Sequence, residues 1–337
     1  MGAIGLELEA TLRAAPKRWA VTGAAGFIGS TLVRALLRLD QHVVGVDDLS
    51  TGHLRNLPEG FPLIEGDIRD PAACATAVAG ADFVLHHAAL GSVPWSMQDP
   101  LRTHAVNVTG FLNVLMAARE ADCARVVYAA SSASYGTCGT VPAVEDRLGD
   151  PLSPYAASKT ANEAYAGAFA EGYGLSAVGL RYFNVFGARQ DPEGPYAAVI
   201  PRWIATLLEG APVVINGDGE TTRDFCHVDN VVAANLLAAL ATLPAPHRVY
   251  NIACGEEISL NRLLREIRAV LAERGVETPA APHYGPFREG DVRRSCADIG
   301  RAVAELGYRP EMGLRDGLAR AMDWYCAEAG VDLTRRS

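Results

Sequence analysis

The order of apolar and polar positions along the first half of the chain predicts strands and helices in alternation. Short apolar runs, typical of strands buried on both faces, occupy 19–22, 41–47, 61–68, 82–89, 125–130 and 175–181. Apolar residues at helical spacing lie between these runs, among them Leu32 and Leu36 after the first run. We therefore expect an α/β fold of the Rossmann type, in which helices cover both faces of a doubly wound parallel sheet.

The same pattern divides the chain into three parts. Residues 1–17 predict an N-terminal helical extension, and residues 18–184 carry the strand–helix alternation of a Rossmann domain. After residue 184 the alternation loosens, so 185–337 predicts a smaller C-terminal α/β lobe that would hold a substrate. Some segments of that lobe could return to the first domain.

Charge and composition exclude several classes of partner. The chain has 337 residues and a formal net charge of −9, without the clusters of Lys and Arg that favour nucleic acid. No run of about 18 apolar residues predicts a membrane span. The acidic N-terminus does not resemble a signal peptide, so we expect a cytoplasmic protein.

The cysteines and histidines predict neither a disulfide framework nor a metal site. Seven cysteines are scattered without a Cys-x-x-Cys pair, as in proteins of a reducing compartment. His86 and His87 are adjacent in a predicted strand, where neighbouring side chains point to opposite faces and do not easily chelate one ion. We therefore predict that no metal is bound.

A glycine-rich turn follows the first predicted strand and opens a helix. Its glycines, Gly23, Gly26 and Gly29, permit a tight turn, close approach of a pyrophosphate and close helix–strand packing. The free N–H groups and the dipole of a helix N-terminus favour an anion at this place. The context predicts a dinucleotide cofactor.

Acidic residues after the next two strands favour NAD over NADP. Asp47 ends the second predicted strand, where a carboxylate can accept both ribose hydroxyls of adenosine and would repel a 2′-phosphate. A turn role for Asp47 or Asp48 is the alternative. Asp67 and Ile68 follow the third strand, where they could hold the edge of the adenine.

Tyr155 and Lys159 lie four residues apart, on one face of a predicted helix that begins at Pro154. A phenol with a pKa near 10 is a poor base at neutral pH, but a neighbouring ammonium stabilises the phenolate and lowers that pKa. Ser131 and Ser132 end the fifth predicted strand, where a hydroxyl can bridge a substrate hydroxyl and the tyrosine oxygen. These residues predict general acid–base catalysis coupled to hydride transfer.

Several of these candidates share one structural position. Asp47, Ala88, Ser131 and Tyr182 all fall at or just beyond the ends of predicted strands. Because ligands of doubly wound sheets bind at the carboxyl ends of the strands, this agreement supports a single site.

These motifs, in this order, resemble the extended short-chain dehydrogenase/reductases. Further stretches resemble the bacterial UDP-N-acetylglucosamine 4-epimerases of surface-polysaccharide synthesis, namely 21–30, 39–41, 50–53, 88–94, 153–155, 181–187, 197–201, 216–220, 223–226 and 288–293. The resemblance covers nearly the whole chain.

The resemblance implies 4-epimerisation of a UDP-sugar with a bound, regenerated NAD. Tyr155 would take the proton of the sugar 4-hydroxyl, Lys159 would hold the nicotinamide ribose, and Ser131 would bind the 4-oxygen beside Ser132. The cofactor set implied by motif and resemblance is Gly23, Gly26, Phe27, Ile28, Gly29, Asp47, Asp48, Gly52, Asp67, Ile68, Ala88, Ala89, Asn107, Tyr155, Lys159 and Tyr182.

The resemblance also implies a substrate site. Its residues are Gly91, Ser92, Ser131, Ser132, Asn184, Ala198, Val199, Val213, Ile215, Arg223, Arg288, Asp291 and Ser295. Arg223 and Arg288 would hold the diphosphate, since a guanidinium fork suits phosphate oxygens. Val199, Val213 and Ile215 would border the uracil. Ser295 would face the sugar 2-substituent, and because serine is small an acetamido group should fit.

Three departures from the family pattern leave the sugar open. Ala133 stands where relatives carry a third serine, Trp95 where they carry arginine, and Asp48 where they carry asparagine. UDP-glucose and UDP-uronic acids therefore remain alternative substrates. A sugar dehydrogenase would release NADH, and a 4,6-dehydratase would need carboxylates where this chain has Ser131-Ser132-Ala133. A non-catalytic sensor is a further alternative, although such proteins tend to lose the tyrosine, the lysine or the glycine turn.

The resemblance further implies a homodimer. Helices that contain Leu112–Met116 and Tyr155–Phe169 would pair across a two-fold axis into a four-helix bundle.

Overall fold

A computed structural model of the chain describes residues 5–192, 197–287 and 292–331. Its α-helices are, in chain order, α1 (Leu6–Ala14), α2 (Phe27–Arg38), α3 (Pro71–Val78), α4 (Val93–Gln98), α5 (Pro100–His104), α6 (Phe111–Glu120), α7 (Pro154–Tyr173), α8 (Val199–Leu208), α9 (Val228–Leu240), α10 (Leu260–Ala272), α11 (Gly300–Leu306) and α12 (Leu314–Glu328). Single 3₁₀ turns occupy Leu54–Asn56 and Ser132–Tyr135, and a π-helical turn, Ala105–Gly110, joins α5 to α6.

Its strands are β1 (Arg18–Thr22), β2 (His42–Asp47), β3 (Leu63–Glu65), β4 (Phe83–His86), β5 (Arg125–Ser131), β6 (Ala177–Tyr182), β7 (Val185–Phe186), β8 (Val214–Asn216), β9 (Thr222–Arg223), β10 (Cys226–His227), β11 (His247–Ile252), β12 (Ile258–Ser259) and β13 (His283–Gly285).

The main sheet has seven parallel strands in the spatial order β11-β6-β5-β4-β1-β2-β3. In the central register, Val21 of β1 lies between Gly45 of β2 and Leu85 of β4. The chain runs outward from β1 to β3 and then crosses over to β4, which makes the boundary between β1 and β4 the switch point where ligands of such sheets bind. The predicted Rossmann-type doubly wound parallel sheet is confirmed.

Helices cover both faces of this sheet. On one face, α2 and α9 bury Leu32, Leu36 and Val231 against the strands. On the other face, α3, α6 and α7 bury Phe111 and Leu115. Every residue of β4 and of β6 is buried, which explains why these strands read as continuous apolar runs rather than as alternating ones.

Two predicted elements differ in detail. The third strand is short, because only Leu63–Glu65 pairs with β2 before the chain turns. The predicted long helix after β4 is divided into α5, the π-helical turn and α6. Such π-helical turns occur often at functional sites, and this one carries the buried amide of Asn107.

The N-terminal helix α1 is fastened to the first domain. Leu12 is buried, and the Gln41 amide nitrogen donates to the carbonyl oxygen of Leu12 at 3.0 Å. The Trp19 indole N–H donates to the Gln41 side-chain oxygen at 3.2 Å. One buried glutamine therefore joins the helix to the starts of β1 and β2.

The chain beyond residue 184 contributes to two cores. α9 and β11 return to the first domain, where β11 forms the edge of the main sheet next to β6. α8, α10 and α12 enclose a separate core that includes Trp203, Ile267 and Leu318. The described part of the second lobe is thus built from short strand pairs and these three helices.

Among the described residues, no helix is long and apolar enough to cross a membrane. The same residues contain no group of three or more His, Cys, Asp or Glu side chains placed to hold a metal ion.

Candidate active site

The glycine turn has the geometry that the sequence motif requires. Gly23 has φ +68°, and a Cβ there would lie 2.7 Å from the backbone nitrogen of Ala88. A Cβ on Gly29 would lie 2.0 Å from the carbonyl oxygen of Gly23, so the first turn of α2 packs directly on the loop. Side chains are therefore excluded between β1, α2 and the end of β4. The backbone N–H groups at the start of α2 remain available for an anion.

Asp47 ends β2 with its carboxylate inside the site. One oxygen accepts from Ala25 N at 2.9 Å and the other from Leu49 N at 2.8 Å. Burial raises the pKa of Asp47, against the lowering effect of these backbone hydrogen bonds. Each oxygen keeps a further lone pair, so the carboxylate can still accept ribose hydroxyls.

Gly52 lies behind this carboxylate. A Cβ on Gly52 would lie 2.8 Å from a carboxylate oxygen of Asp47, so glycine is needed for close packing at this place. Gly52 was predicted to bind the cofactor, but it supports Asp47 and does not line the cleft. Its effect on a cofactor would be indirect.

A cleft of about 620 Å³ runs along the carboxyl ends of β1, β2, β4, β5 and β6. It brings together most of the predicted cofactor and catalytic residues: Gly23, Gly26, Phe27, Ile28, Gly29, Asp47, Asp48, Asp67, Ile68, Ala88, Ala89, Ser131, Ser132, Tyr155, Lys159 and Tyr182. Gly91 and Asn184, from the predicted substrate set, also line it. Its size is within the range of small-molecule sites.

An ion pair lies at the acidic end of this cleft. Arg69 forms an ion pair with Asp67, and that pairing lowers the pKa of the Asp67 carboxyl group. Asp48 accepts from the backbone nitrogen of Ser50 at 3.0 Å. The end of the cleft beside Asp47 is thus lined by three carboxylates, a surrounding that disfavours an additional phosphate.

Asn107 was also predicted to bind the cofactor, but the structure places its side chain behind the wall of the cleft. Its side chain is fully buried and does not reach the cleft. Its amide accepts from Leu90 N at 2.8 Å, and donates to Leu90 O at 3.1 Å and to the hydroxyl of Ser158 at 3.1 Å. Asn107 therefore fixes the loop that lines the cleft after β4.

The helix that carries Tyr155 and Lys159 has clear start and stop signals. The Ser153 hydroxyl accepts from Ala156 N at 3.1 Å, Pro154 occupies the first turn, and Gly174 ends the helix with φ 72°. These local signals fix where α7 begins relative to the end of β5.

Ser131 and Tyr155 meet at that place. The Ser131 hydroxyl accepts from Ala133 N at 3.1 Å, and its hydrogen-bonding interaction with Tyr155 lowers the pKa of that phenol. The Lys159 ammonium lies 5.9 Å from the centre of the Tyr155 ring and donates to the carbonyl oxygen of Ala129 at 2.8 Å. Hydroxyl, phenol and ammonium therefore form one cluster at the end of β5.

The protonation of this cluster is set chiefly by burial. Burial lowers the pKa of Lys159 to about 8. Burial also raises the pKa of Tyr155, while the hydrogen bond from Ser131 lowers it. We expected the neighbouring ammonium to lower this pKa, but in the protein alone the loss of solvation sets the direction, and the pKa of Tyr155 is raised. A cation that fills the cleft would oppose this rise.

A second cleft, of about 540 Å³, lies between the sheet and the second lobe. It collects Gly91, Ser92, Asn184, Ala198, Val199 and Arg223 from the predicted substrate set. The Asn184 amide is held by the carbonyl oxygen of Asp224 at 3.1 Å. Arg223 donates to the carbonyl oxygens of Thr222 and Val292, both at 2.7 Å.

Val213 and Ile215 were predicted to border the uracil, but neither residue lines this cleft. Their exposed fractions are 1% and 0%, and both pack in the core of the second lobe. Val214, with 52% exposed, and Asn216 line the cleft instead. Successive residues of a strand point to opposite faces, and the assignment took the wrong face of β8.

A third cavity, of about 770 Å³, adjoins the first two and contains Ser295. It shares Ser132 with the first cleft and Arg223 with the second, while Asn184 lines all three. The Ser295 backbone nitrogen donates to the carbonyl oxygen of Thr222 at 3.2 Å. Two further predicted substrate residues, Arg288 and Asp291, lie outside the described residues.

Sequence reasoning missed several lining residues, among them His87, Gln190 and Phe225. His87 follows β4, and its Nε2 lies 2.9 Å from the Tyr182 hydroxyl. Burial lowers the pKa of His87 to about 3, so its ring is neutral. Its position one residue before Ala88, a predicted cofactor residue, indicates that it lines the cleft, whereas from the sequence we considered His87 only as a possible metal ligand.

Comparison with known proteins gives a consistent picture. The sequence pattern of the NAD dependent epimerase/dehydratase family matches residues 19–253. The UDP-glucose 4-epimerase of Mycolicibacterium smegmatis is 38% identical over 315 residues, which are 91% of this chain and 98% of that protein.

Two solved structures are similar over nearly their whole length. The UDP-N-acetylglucosamine 4-epimerase of Methanobrevibacter ruminantium, in complex with UDP-N-acetylmuramic acid, has a TM-score of 0.86 and 38% identity and covers 93% of this chain and 99% of its own. The UDP-glucose 4-epimerase of Thermus thermophilus, in complex with NAD, has a TM-score of 0.79 and 35% identity and covers 91% of this chain and 98% of its own.

Proposed function

The chain belongs to the NAD-dependent epimerase/dehydratase family, and we propose that it interconverts UDP-N-acetylglucosamine and UDP-N-acetylgalactosamine. Its activity class is NAD-dependent 4-epimerisation of a UDP-sugar, in agreement with its relatives. The observation that carries the proposed acetamido sugar is the presence of small residues in two adjoining cavities: Gly91 lines the cleft of Ser131 and Tyr155, and Ser295 lines the cavity that shares Ser132 with it.

The residues of the first cleft fit NAD. Space for a pyrophosphate exists at the glycine turn because side chains are excluded there, and the Asp47 carboxylate retains lone pairs for the adenosine ribose. Lys159 would donate to the nicotinamide ribose. When bound, NAD supplies the hydride acceptor and donor for carbon 4 of the sugar.

Tyr155 and Ser131 would handle the proton. The Tyr155 phenolate accepts the proton of the sugar 4-hydroxyl, and the same phenol returns it when the 4-keto sugar is reduced on its other face. The Ser131 hydroxyl lowers the pKa of Tyr155 by hydrogen bonding, an effect that favours the phenolate. Its place at the end of β5 would let it hold the sugar 4-oxygen during both half-reactions.

Inversion requires the keto sugar to turn around while the nucleotide stays bound. Arg223, at the boundary of the second and third cavities, would hold the diphosphate. Asn184 borders all three cavities and would contact the sugar or the phosphate nearest to it. No described residue lies within 4 Å of a Cβ placed on Gly91, so this wall leaves room for the ring to turn.

The proposed acetamido sugar follows from size. Ser295 lines a cavity of about 770 Å³, far larger than an acetyl group needs. Ala133 lines the same cavity and adds no bulk. A 4,6-dehydratase would need an acid and a base beside the sugar, and the stretch Ser131-Ser132-Ala133 offers neither.

Product analysis with UDP-N-acetylglucosamine and no added cofactor tests this proposal. Formation of UDP-N-acetylgalactosamine supports the acetamido substrate and a tightly held NAD together. Turnover of UDP-glucose or a UDP-uronic acid alone would contradict the acetamido sugar while keeping 4-epimerisation. Accumulation of NADH would point to a dehydrogenase.

Tyr155→Phe supplies the matched test of the base. Removing the general base should lower kcat by about 10²- to 10⁴-fold while bound NAD is kept. Tyr165 lies on the same helix with 41% exposed, and Tyr165→Phe is the control expected to keep full activity. Near-normal turnover of Tyr155→Phe would remove Tyr155 from this role.

We also propose a homodimer formed through α6 and α7. Met116 and Tyr165 are exposed apolar side chains on these helices, and Leu101 on the adjoining α5 is 83% exposed. Pairing across a two-fold axis would cover them, as in isologous dimers. A monomeric mass at micromolar concentration in sedimentation analysis would contradict it.

A further inference from the structure

A buried ion pair lies behind the catalytic cluster. Arg181 of β6 donates from Nε and Nη2 to the two carboxylate oxygens of Glu163 on α7, at 2.8 and 2.6 Å. Both residues are buried. Tyr155, Lys159 and Glu163 follow one another at four-residue intervals, so the pair holds the same side of the helix that carries the phenol and the ammonium.

The third nitrogen of the same guanidinium reaches a different element. Arg181 Nη1 donates to the Tyr135 hydroxyl at 3.2 Å and to the carbonyl oxygen of Glu145 at 2.9 Å. The Tyr135 hydroxyl donates in turn to the side-chain oxygen of Asn251 at 2.6 Å. Tyr135 is the last residue of the 3₁₀ turn that begins at Ser132, directly after Ser131. One side chain therefore contacts both the catalytic helix and the serine turn.

We propose that Tyr135 is a positioning residue, which through Arg181 and Glu163 holds the serine turn at the correct distance from the helix that carries Tyr155. Ser131 and Tyr155 face each other across the same two elements, which are also joined by the donation from Lys159 Nζ to the carbonyl oxygen of Ala129 at 2.8 Å, ahead of the turn itself. Ser131 accepts from Ala133 N, within the turn, and Ser153 caps α7. Neither of these contacts sets the separation of the two elements.

The chain contains a comparable cluster on the opposite face of the sheet, because Tyr250 precedes Asn251 in β11 and successive strand residues point to opposite faces. Arg248 of β11 is paired with Glu305 of α11, and the Tyr250 hydroxyl donates to Glu305 at 2.7 Å. This second group of arginine, glutamate and tyrosine joins an edge strand to a surface helix. It provides a control in which a tyrosine hydroxyl is removed from an ion pair without any effect on Ser131.

Loss of the Tyr135 hydroxyl should move the serine turn, and with it the Ser131 hydroxyl, away from Tyr155. The hydrogen-bonding interaction with Ser131 lowers the pKa of Tyr155, so a looser serine turn should raise that pKa. The other groups to consider around this phenol are Lys159 on the same helix, and His87 and Tyr182, which line the same cleft. Tyr135→Phe leaves all of them in place and changes no charge near the site.

Ultraviolet difference titration of the NAD-loaded protein tests the proposal without turnover. The tyrosinate signal of Tyr155 is isolated by subtracting the matched Tyr155→Phe protein in the original, Tyr135→Phe and Tyr250→Phe backgrounds. We expect an upward shift of roughly half a pH unit or more in Tyr135→Phe and no shift in Tyr250→Phe. Equal Tyr155 titration in all three backgrounds overturns the proposal.

A second variant covers the case in which Tyr135→Phe does not fold. Arg181→Lys keeps the charge but loses the fork that reaches Glu163 and Tyr135 together. The same upward shift is expected, and its absence in the folded variant overturns the proposal.

Turnover supplies an independent readout, and this arm rests on the proposed function. With the UDP-sugar that the original protein converts, Tyr135→Phe should lower kcat on the order of tenfold with KM little changed, since misplacement acts on the reacting geometry. Tyr250→Phe should keep kcat. If the original protein converts the UDP-sugar and Tyr135→Phe keeps the same kcat, the inference about Tyr135 is overturned while the proposed function stands. Failure of the original protein on every UDP-sugar would overturn the proposed function and leave the titration to decide the inference.

Discussion

Ser131 at the end of β5 and Tyr155 at the start of α7 line the same cleft, where hydrogen bonding by the Ser131 hydroxyl lowers the pKa of Tyr155. The glycine turn, the strand end and the capped helix place this pair on the cofactor cleft. The fold therefore positions Ser131 and Tyr155 together for the acid–base role that we propose for them.

Removal of this hydrogen bond should change the pH dependence of turnover. In the proposed reaction Tyr155 acts as a phenolate, so we expect kcat to rise as pH rises through the pKa of Tyr155. The Ser131 hydroxyl lowers that pKa, and Ser131→Ala should move the rise in kcat to higher pH. The pH dependence of kcat in Ser131→Ala and in the original protein measures this shift. If kcat is lower at every pH but rises at the same pH in both proteins, this role of the hydroxyl is contradicted.

Gly23→Ala should abolish cofactor binding and destabilise the fold. Its φ of +68° costs an L-residue about 1–2 kcal/mol, and the new methyl group would lie 2.7 Å from Ala88 N. Gly60 has nearly the same φ, +72°, with no described residue within 4 Å of its Cβ position. Gly60→Ala is therefore the control for backbone strain alone. Bound NAD and thermal unfolding are measured, and retention of NAD by Gly23→Ala would contradict the close approach.

Much of the first domain could be predicted because its signals are local. The glycine turn, Asp47 at the end of β2 and the cap before Tyr155 are each encoded within a few residues. Parallel strands bring their carboxyl ends to one edge, which placed Ser131 beside Ala88 without knowledge of the packing.

The parts that were missed depend on contacts between distant segments. Nothing near Asn107 shows that its amide would hold Leu90 rather than a ligand. β8 is too short for its alternation to reveal which face meets the core, so Val213 was assigned to the wrong side. The return of β11 to the sheet depends on pairing with β6, which a single short apolar run does not specify.

Two neighbouring valines test the corrected face of β8. Val213 is buried, and Val213→Ala should lower the free energy of unfolding by about 2 kcal/mol with KM unchanged. Val214 lines the substrate cleft, and Val214→Ala should raise KM for the UDP-sugar with a stability change within about 0.5 kcal/mol. Denaturant unfolding and steady-state kinetics on both variants decide it. If Val213→Ala raised KM and Val214→Ala lowered the free energy of unfolding, the original prediction that Val213 borders the uracil would be restored.

Ser295 offers the sharpest test of the substrate. A tyrosine in its place would fill part of the cavity that the site shares with Ser132 and Asn184, where a sugar substituent would lie. Ser295→Tyr should lower kcat/KM for UDP-N-acetylglucosamine on the order of 100-fold, because the acetamido group would collide with the ring. Conversion of UDP-glucose should change much less. Ser295→Ala, which keeps the space, is the matched control and should preserve both activities. Equal losses for both sugars in Ser295→Tyr would show that the ring blocks the site as a whole, and would refute the assignment of Ser295 to the 2-substituent.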